Sequence, residues 1–409
     1  MKILLATFWS VPHVGGVWNY MQQLKSKLEA LGHEVDLLGH GENNYSVQLI
    51  SQNRGIEKAK IQSLIDSKLK KEKHPFSGKN EVVNYYETQM AGYELGVSYL
   101  GIEGYDLIHA QDILSTVCID KLRAKKNTLV TTIHGSVAHE LKHAVTNILK
   151  MPTAPLACTY FDELEHKGAT SAEITIVANN WLKNILINEF QVHTEQLEVF
   201  QYGYDIENFL SRINEQSSIK PPTNQKLIIY TGRLTEIKGI QYLISALSKL
   251  KEIRQDWICW IVGDGDMQAE LKMQTKNLGL EKWILFLGNR NDVPYLLSIS
   301  DICVLPSIID NQPLAVIEAQ LAAKPVIVSD AGGLPEMVEH GITGVISPAA
   351  DSKTLCLNIN YLLTHELYRK NLGSNAQKWA FSHWSPDKAA QKIINTYKKA
   401  VLKRNNTSN

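Results

Sequence analysis

At 409 residues the chain is longer than one hydrophobic core usually supports, so two domains are expected. Its 44% apolar and 21% charged residues are those of an ordinary globular protein, and 42 Lys plus Arg against 42 Asp plus Glu leave no net field to attract nucleic acid or a strongly acidic macromolecule. No stretch reaches about 18 uninterrupted apolar residues, so no membrane span is expected.

The chain opens with Lys2 before a short apolar run. With no cleavage site behind it, the run reads as a buried first strand rather than a signal peptide. Ile3 to Ala6 is continuous enough for a central parallel strand, and Gly15-Gly16 breaks it. Val17, Met21, Leu24, Leu28 and Leu31 then recur at helical spacing until Gly32, after which Val35 to Leu38 restarts a strand. Residues 41–104 fit this rhythm poorly; helical character over 56–69 and 82–99 suggests an insertion on the face of the first domain, where a second substrate is met. Lys58, Lys60, Lys68, Lys70, Lys71 and Lys73 read there as a solvated helix face, with an anionic acceptor or a peripheral contact to the inner membrane face as the alternatives.

Further strands are expected at 107–109, 129–133, 173–178 and 197–200. Asp112, just past the first of these, either touches an acceptor or caps the following helix. His134 ends the second, at the rim where ligands bind, and is either a group that polarises a hydroxyl or a structural histidine. The polar stretch 211–225, with Ser217-Ser218 and Pro221-Pro222, reads as an interdomain linker between a domain of residues 1–210 and one of 226–385. Residues 386–409 form a last helix able to pack on either domain, crossing back to the first being one arrangement. The second domain repeats the pattern with strands at 227–230, 257–262, 284–287, 302–305, 325–329 and 344–347. The fold class is therefore α/β, two Rossmann-like doubly wound parallel sheets whose strand ends face a cleft.

In that second domain Gly232-Arg233 and Lys238-Gly239 follow a strand and precede a helix, where a guanidinium and an ammonium suit a diphosphate. Gly263-Asp264-Gly265 closes the next strand and is as well explained by a plain turn as by a ligand contact. In Asp310-Asn311-Gln312-Pro313-Leu314, Pro313 suits the first position of a helix that carries Glu318. Carboxylates there accept from sugar and ribose hydroxyls while backbone amides face phosphate; the competing reading makes Asp310 or Asn311 an N-cap and Glu318 a surface residue. The five cysteines are scattered without a C-x-x-C pair, and no H-E-x-x-H run occurs. A reducing, cytoplasmic setting is expected, and neither a metal nor a cofactor is called for.

Taken together the chain resembles the GT-B glycosyltransferases of family 4. The resemblance rests on Gly15-Gly16, Gly32-His33-Glu34-Val35, Thr132-Ile133-His134-Gly135, Tyr202-Gly203-Tyr204-Asp205, Gly232-Arg233 with Lys238-Gly239, Pro306-Ser307, Pro313-Leu314 before Glu318-Ala319, and Gly332-Gly333-Leu334-Pro335-Glu336 before Gly341-Ile342-Thr343-Gly344. It implies metal-independent, retaining transfer of a sugar from a nucleotide-sugar donor, UDP by the family's habit. Arg233 and Lys238 match the diphosphate ligands, Glu318 the ribose ligand and His134 the histidine near the transferred sugar. Asp310 completes the catalytic set. Gly15, Gly16, Gly232, Gly263 and the run from Asp310 through Asn311, Gln312 and Pro313 to Leu314 line the donor, and Asp112 is the acceptor candidate. Two departures stand out: Asp310-Asn311 replaces the family's glutamate-glycine, and Tyr202-Gly203-Tyr204 replaces the asparagine-glycine pair before Asp205. A sugar-nucleotide epimerase and a non-catalytic nucleotide-sugar-binding module are the alternative functions.

Overall fold

The computed structural model describes residues 1–12, 16–72, 74–215 and 217–408, so expectations placed on Gly15 and Lys73 lie outside the described residues. It divides into two compact units, Met1–Tyr202 with Asp387–Asn409, and Gly203–Pro386.

Unit 1 runs β1 (Lys2–Ser10), α1 (Gly16–Ala30), β2 (Glu34–His40), β3 (Ser46–Leu49), β4 (Arg54–Glu57), α2 (Gln62–Lys71), α3 (Glu81–Leu100), β5 (Leu107–Ala110), α4 (Ile113–Leu122), β6 (Thr128–Ile133), α5 (Val137–His143), α6 (Ala154–Thr170), β7 (Ile174–Val177), α7 (Asn180–Asn188) and β8 (Leu197–Val199). The strands lie in the order β4-β3-β2-β1-β5-β6-β7-β8. Ile3, Leu4, Leu5 and Ala6 are wholly buried because helices cover both faces of this central strand, which explains its unbroken apolar run. The order reverses between β1 and β5, which pair in parallel with Ile3 opposite Leu107. This is the switch point at which such sheets bind ligands beyond their carboxyl ends.

Residues 41–104 differ from expectation. They are not a purely helical insertion: β3 and β4 form an antiparallel ribbon that extends the sheet past β2, and the helix expected over 56–69 begins only at Gln62. The lysines there are largely occupied by the chain itself. Lys58 bonds Gln89 at 2.5 Å, Lys60 lies 3.5 Å from Glu57, and Lys68 pairs with Glu72 at 2.7 Å and the buried Glu94 at 2.9 Å. Lys70 and Lys71 are exposed.

Unit 2 runs α8 (Ile206–Arg212), β9 (Lys226–Thr231), α9 (Ile240–Ile253), β10 (Trp257–Val262), α10 (Gln268–Asn277), β11 (Ile284–Gly288), α11 (Val293–Ser298), β12 (Ile302–Leu305), α12 (Leu314–Leu321), β13 (Val326–Ser329), β14 (Gly344–Ser347), α13 (Ser352–Thr364) and α14 (Glu366–His383). Its sheet has the order β11-β10-β9-β12-β13-β14, all parallel, with the switch between β9 and β12. The expected linker at 211–225 is not a linker. The division falls at Tyr202 and Gly203, and the polar stretch is fastened to unit 2 by Ser217, which donates to Asp292 at 2.6 Å, and by α8, whose Phe209 is buried in that unit's core.

The last helix, α15 (Pro386–Ser408), belongs to unit 1. Ile393, Ile394, Tyr397 and Ala400 join a core with Ile3, Leu5, Trp18 and Met21. Lys27 with Asp387 at 2.7 Å, Lys399 with Glu198 at 2.7 Å and Arg404 with Glu173 at 3.0 Å flank that seam. No helix among the described residues is long and apolar enough to cross a membrane.

Candidate active site

In unit 2 the loops leaving β9, β10, β12 and β13 are knitted to one another by their backbones. Gly232 N–H donates to the Val262 carbonyl at 3.0 Å, Leu234 N–H to Asp264 at 2.9 Å, Ile308 N–H to Ile237 at 2.7 Å and Gly333 N–H to Asp310 at 2.9 Å. Such approaches leave no room for side chains. At Gly263, with φ +132°, a Cβ would lie 1.9 Å from the Gly232 carbonyl oxygen, and at Gly332, with φ +63°, 1.9 Å from that of Asp310. Gly263 is thus required by the chain's own close packing, the plain-turn explanation of Gly263-Asp264-Gly265.

This collar carries the expected donor residues. Arg233 is exposed, and no carboxylate among the described residues lies within ion-pair distance of it; its backbone is steadied by the buried Tyr230, whose hydroxyl donates to the Arg233 carbonyl at 2.9 Å. Lys238 ends a short 3-10 turn, and Gly239 follows in the left-handed region as the N-cap residue of α9, whose N-terminus has no side-chain cap. Uncapped amides beside an ammonium suit an anion. Lys238 is not a free cation: its Nζ lies 2.8 Å from Asp310 Oδ2, with 16% and 9% of the two side chains exposed. Ser307 donates to the same oxygen at 2.9 Å, and Asn311 N–H to Oδ1 at 3.1 Å. Asp310, expected at the sugar hydroxyls, is therefore also the counter-charge of the expected diphosphate ligand.

Asn311 and Gln312 are buried, and the helix begins at Leu314, so Pro313 is the capping residue rather than the first helical one; neither Asp310 nor Asn311 caps it. Glu318 sits one turn into α12 on the same face as Leu314 and is no surface residue. Its Oε1 accepts from the Tyr204 hydroxyl at 2.8 Å. Burial raises its pKa, partly offset by the Tyr204 hydrogen bond and the nearby Arg212.

In unit 1, Gly16 opens α1 and is exposed. His134, just past β6, has both ring nitrogens engaged: Nδ1 lies 2.7 Å from the Tyr202 hydroxyl and Nε2 3.1 Å from Gln111 Oε1. The Gln111 amide nitrogen donates to the His109 carbonyl at 3.3 Å, which turns its oxygen toward His134. Nε2 therefore carries the proton and Nδ1 accepts from Tyr202. Burial lowers the His134 pKa to about 3, so the ring is neutral. Tyr202 thus engages one ring nitrogen and Gln111 the other. Behind it, His109 bonds Tyr397 of α15 and Thr132, each at 2.7 Å.

Asp112 resolves to the cap. Its Oδ1 accepts from Ser115 N–H at 2.7 Å, and its Oδ2 from Thr7 Oγ1 and Phe8 N–H, both at 2.8 Å, which ties the end of β1 to the start of α4. Both oxygens are taken within the chain, and only 4% of Asp112 is exposed. Sequence reasoning passed over Gln111, Tyr202, Tyr204 and Ser307 as site residues. Tyr202, Tyr204 and Ser307 lay within quoted motifs and Gln111 stands next to Asp112; the signal was a polar side chain near a strand's carboxyl end beside a titratable one. A cavity of about 300 Å³ lies elsewhere in unit 1, among α2, α3, α4 and α6, with Lys68, Glu94, Lys121 and Tyr160 in its wall. Among the described residues no three His, Cys, Asp or Glu side chains are grouped to hold a metal ion.

Comparison with known proteins agrees with this architecture. Residues 14–208 match the model of Glycosyltransferase Family 4 and residues 211–379 that of Glycosyl transferases group 1. An uncharacterized glycosyltransferase of Methanocaldococcus jannaschii is 26% identical over 98% of this chain and 99% of its own length. The UDP-Gal:alpha-D-GlcNAc-diphosphoundecaprenol alpha-1,3-galactosyltransferase of Escherichia coli is 26% identical over 74% of this chain and 77% of its own. Among solved structures, the sucrose-phosphate synthase of Thermosynechococcus elongatus superposes with a TM-score of 0.75 at 21% identity, covering 97% of this chain and 98% of that one. HepE of Anabaena, solved with UDP, gives 0.68 at 21%, covering 98% and 100%. The two family models between them cover most of the chain, which belongs to the family 4 glycosyltransferases of GT-B fold, enzymes that draw on a nucleotide-sugar donor.

Proposed function

We propose that the protein transfers a sugar from a UDP-sugar to an acceptor hydroxyl with retention of configuration, the acceptor being met by unit 1. The observation that carries this reading is Arg233, an exposed guanidinium with no partner carboxylate among the described residues, on the same loop as Lys238 and one short turn before the uncapped N-terminus of α9. As the bond from the sugar's C1 to the diphosphate oxygen breaks, negative charge grows on the leaving group; Arg233, Lys238 and the α9 amides stabilise it where it forms. The acceptor oxygen bonds C1 on the face the diphosphate leaves, and its proton passes to the departing phosphate oxygen. Glu318 holds the ribose, and His134 stands beside the transferred sugar. UDP is supported by what relatives bind: the Escherichia coli enzyme is named for UDP-Gal, and Anabaena HepE was solved with UDP and with UDP-glucose.

Hydrolysis of UDP-, GDP- and ADP-sugars, which needs no acceptor to be known, tests this. Turnover is expected on the UDP-sugar, falling about 100-fold in Arg233→Ala and in Lys238→Ala. Undiminished turnover in both variants rejects the phosphate clamp, and preference for another nucleotide rejects UDP.

A further inference from the structure

The residues that replace the family's asparagine-glycine pair lie where the chain passes between its units. Tyr202 is the last residue of unit 1 in this segment, and Gly203 the first of unit 2. Within unit 1 the Tyr202 hydroxyl is bonded to Nδ1 of His134 at 2.7 Å; within unit 2 the Tyr204 hydroxyl donates to Oε1 of Glu318 at 2.8 Å. Both rings are anchored. Tyr202 packs against Tyr20 and His134 with ring centroids 5.0 Å away in each case. Tyr204 meets Phe209 edge-on at 6.0 Å, and its N–H donates to the Trp384 carbonyl at 3.0 Å. The next residue, Asp205, caps α8 by accepting from Asn208 N–H at 3.1 Å. A hydroxyl on an anchored ring fixes its partner's plane, because moving it means moving the ring.

We propose that Tyr202 and Tyr204 are positioning residues, one aligning His134 for the sugar and the other aligning Glu318 for the ribose, an inference that rests on the functional reading above. An asparagine in place of Tyr202 is too short to reach His134 in the same way, so the bond depends on the tyrosine. At Glu318, one carboxylate oxygen held by Tyr204 sets the plane of the group and leaves Oε2 to accept from the ribose hydroxyls.

Tyr204→Phe and Tyr202→Phe keep the rings and remove only the hydroxyls. The full chain and each variant are titrated calorimetrically with UDP and with 2′-deoxy-UDP, the matching ADP and GDP pairs run alongside, and UDP-glucose hydrolysis is measured per nucleotide-binding site. Because a ratio of two affinities on one sample is unaffected by loss of folded protein, a folding defect does not mimic the result. The wild type is expected to prefer UDP over 2′-deoxy-UDP by about tenfold or more. Tyr204→Phe should lose most of that preference through weaker UDP binding, whereas Tyr202→Phe should keep both affinities and lose about tenfold in kcat. A preference unchanged in Tyr204→Phe, or turnover unchanged in Tyr202→Phe, overturns the inference while leaving the functional reading in place. A wild type that binds none of the diphosphates overturns that reading itself.

Discussion

Asp310 and Lys238 set a carboxylate against an ammonium among the expected donor residues. An ammonium has three donors, and Asp310 takes one of them at 2.8 Å. A diphosphate bound as proposed would share Lys238 with a carboxylate whose own charge repels it. Asp310→Asn keeps the shape and removes the charge: UDP is expected to bind severalfold more tightly by calorimetry, while sugar turnover falls by about tenfold because the sugar hydroxyls lose their anionic acceptor. If UDP binding weakens instead, Asp310 serves to hold Lys238 in place rather than to compete for it. The pair also marks where sequence legibility ended. Arg233, Lys238, Asp310 and Glu318 were candidates because each residue type stands in a loop past a strand or early in the helix that follows, but the Lys238–Asp310 pairing was not legible, since positions 72 apart meet only through the β9–β12 switch. Asp112 was ambiguous for a related reason: a carboxylate after a strand suits a ligand and a helix N-terminus equally, and only the donors Thr7, Phe8 and Ser115 decide between them.

Among the elements, the parallel strands were readable because burial on both faces makes them continuous apolar runs, as in Trp257–Val262. The ribbon of β3 and β4 escaped notice. Each strand is four residues long, and β4, at the sheet edge, buries none of them. The turn from His134 into α5 rests on α6. The wholly buried Glu165 of α6 accepts from Ala138 N–H at 2.8 Å at the start of α5, and burial raises its pKa to about 8. For a carboxyl whose folded pKa exceeds its unfolded value, the folded state binds the extra proton. Its stabilisation is then fully present below the unfolded value, about 4.5, and is lost as pH rises through about 8. Thermal or denaturant melts should accordingly show wild-type stability falling across that window, by up to about 1.4 kcal/mol per pH unit. Glu165→Gln should lack the fall, and an identical pH profile in the two proteins would remove Glu165 as its source.

At the scale of the whole molecule, two doubly wound sheets were evident from the repeated strand-helix series, whereas the division between them was not. Polar composition pointed to 211–225, but a segment rich in serine and proline can be fastened to one unit by a few bonds such as Ser217 to Asp292, and the division lies at Tyr202. The destination of α15 was likewise open in the sequence, because one amphipathic helix suits either sheet. Its attachment to unit 1 buries Ile393, Tyr397 and Ala400, and each large apolar side chain so covered contributes about 1.5–3 kcal/mol. A chain ending at residue 385 is expected to expose the Trp18 and Met21 face of unit 1 and to self-associate in light scattering, while residues 203–386 alone give a cooperative melt; a monodisperse truncated chain would show that α15 is dispensable to unit 1.

That last helix also dictates an order of assembly at the ribosome. Unit 2 is contiguous, so it has all its parts as soon as residue 386 emerges, whereas the segment made first must wait, with one flank of its sheet bare, until α15 is translated. The earliest-made half is thus the last to be completed, and chaperones that shelter nascent apolar surface would find their longest-lived client in residues 1–202.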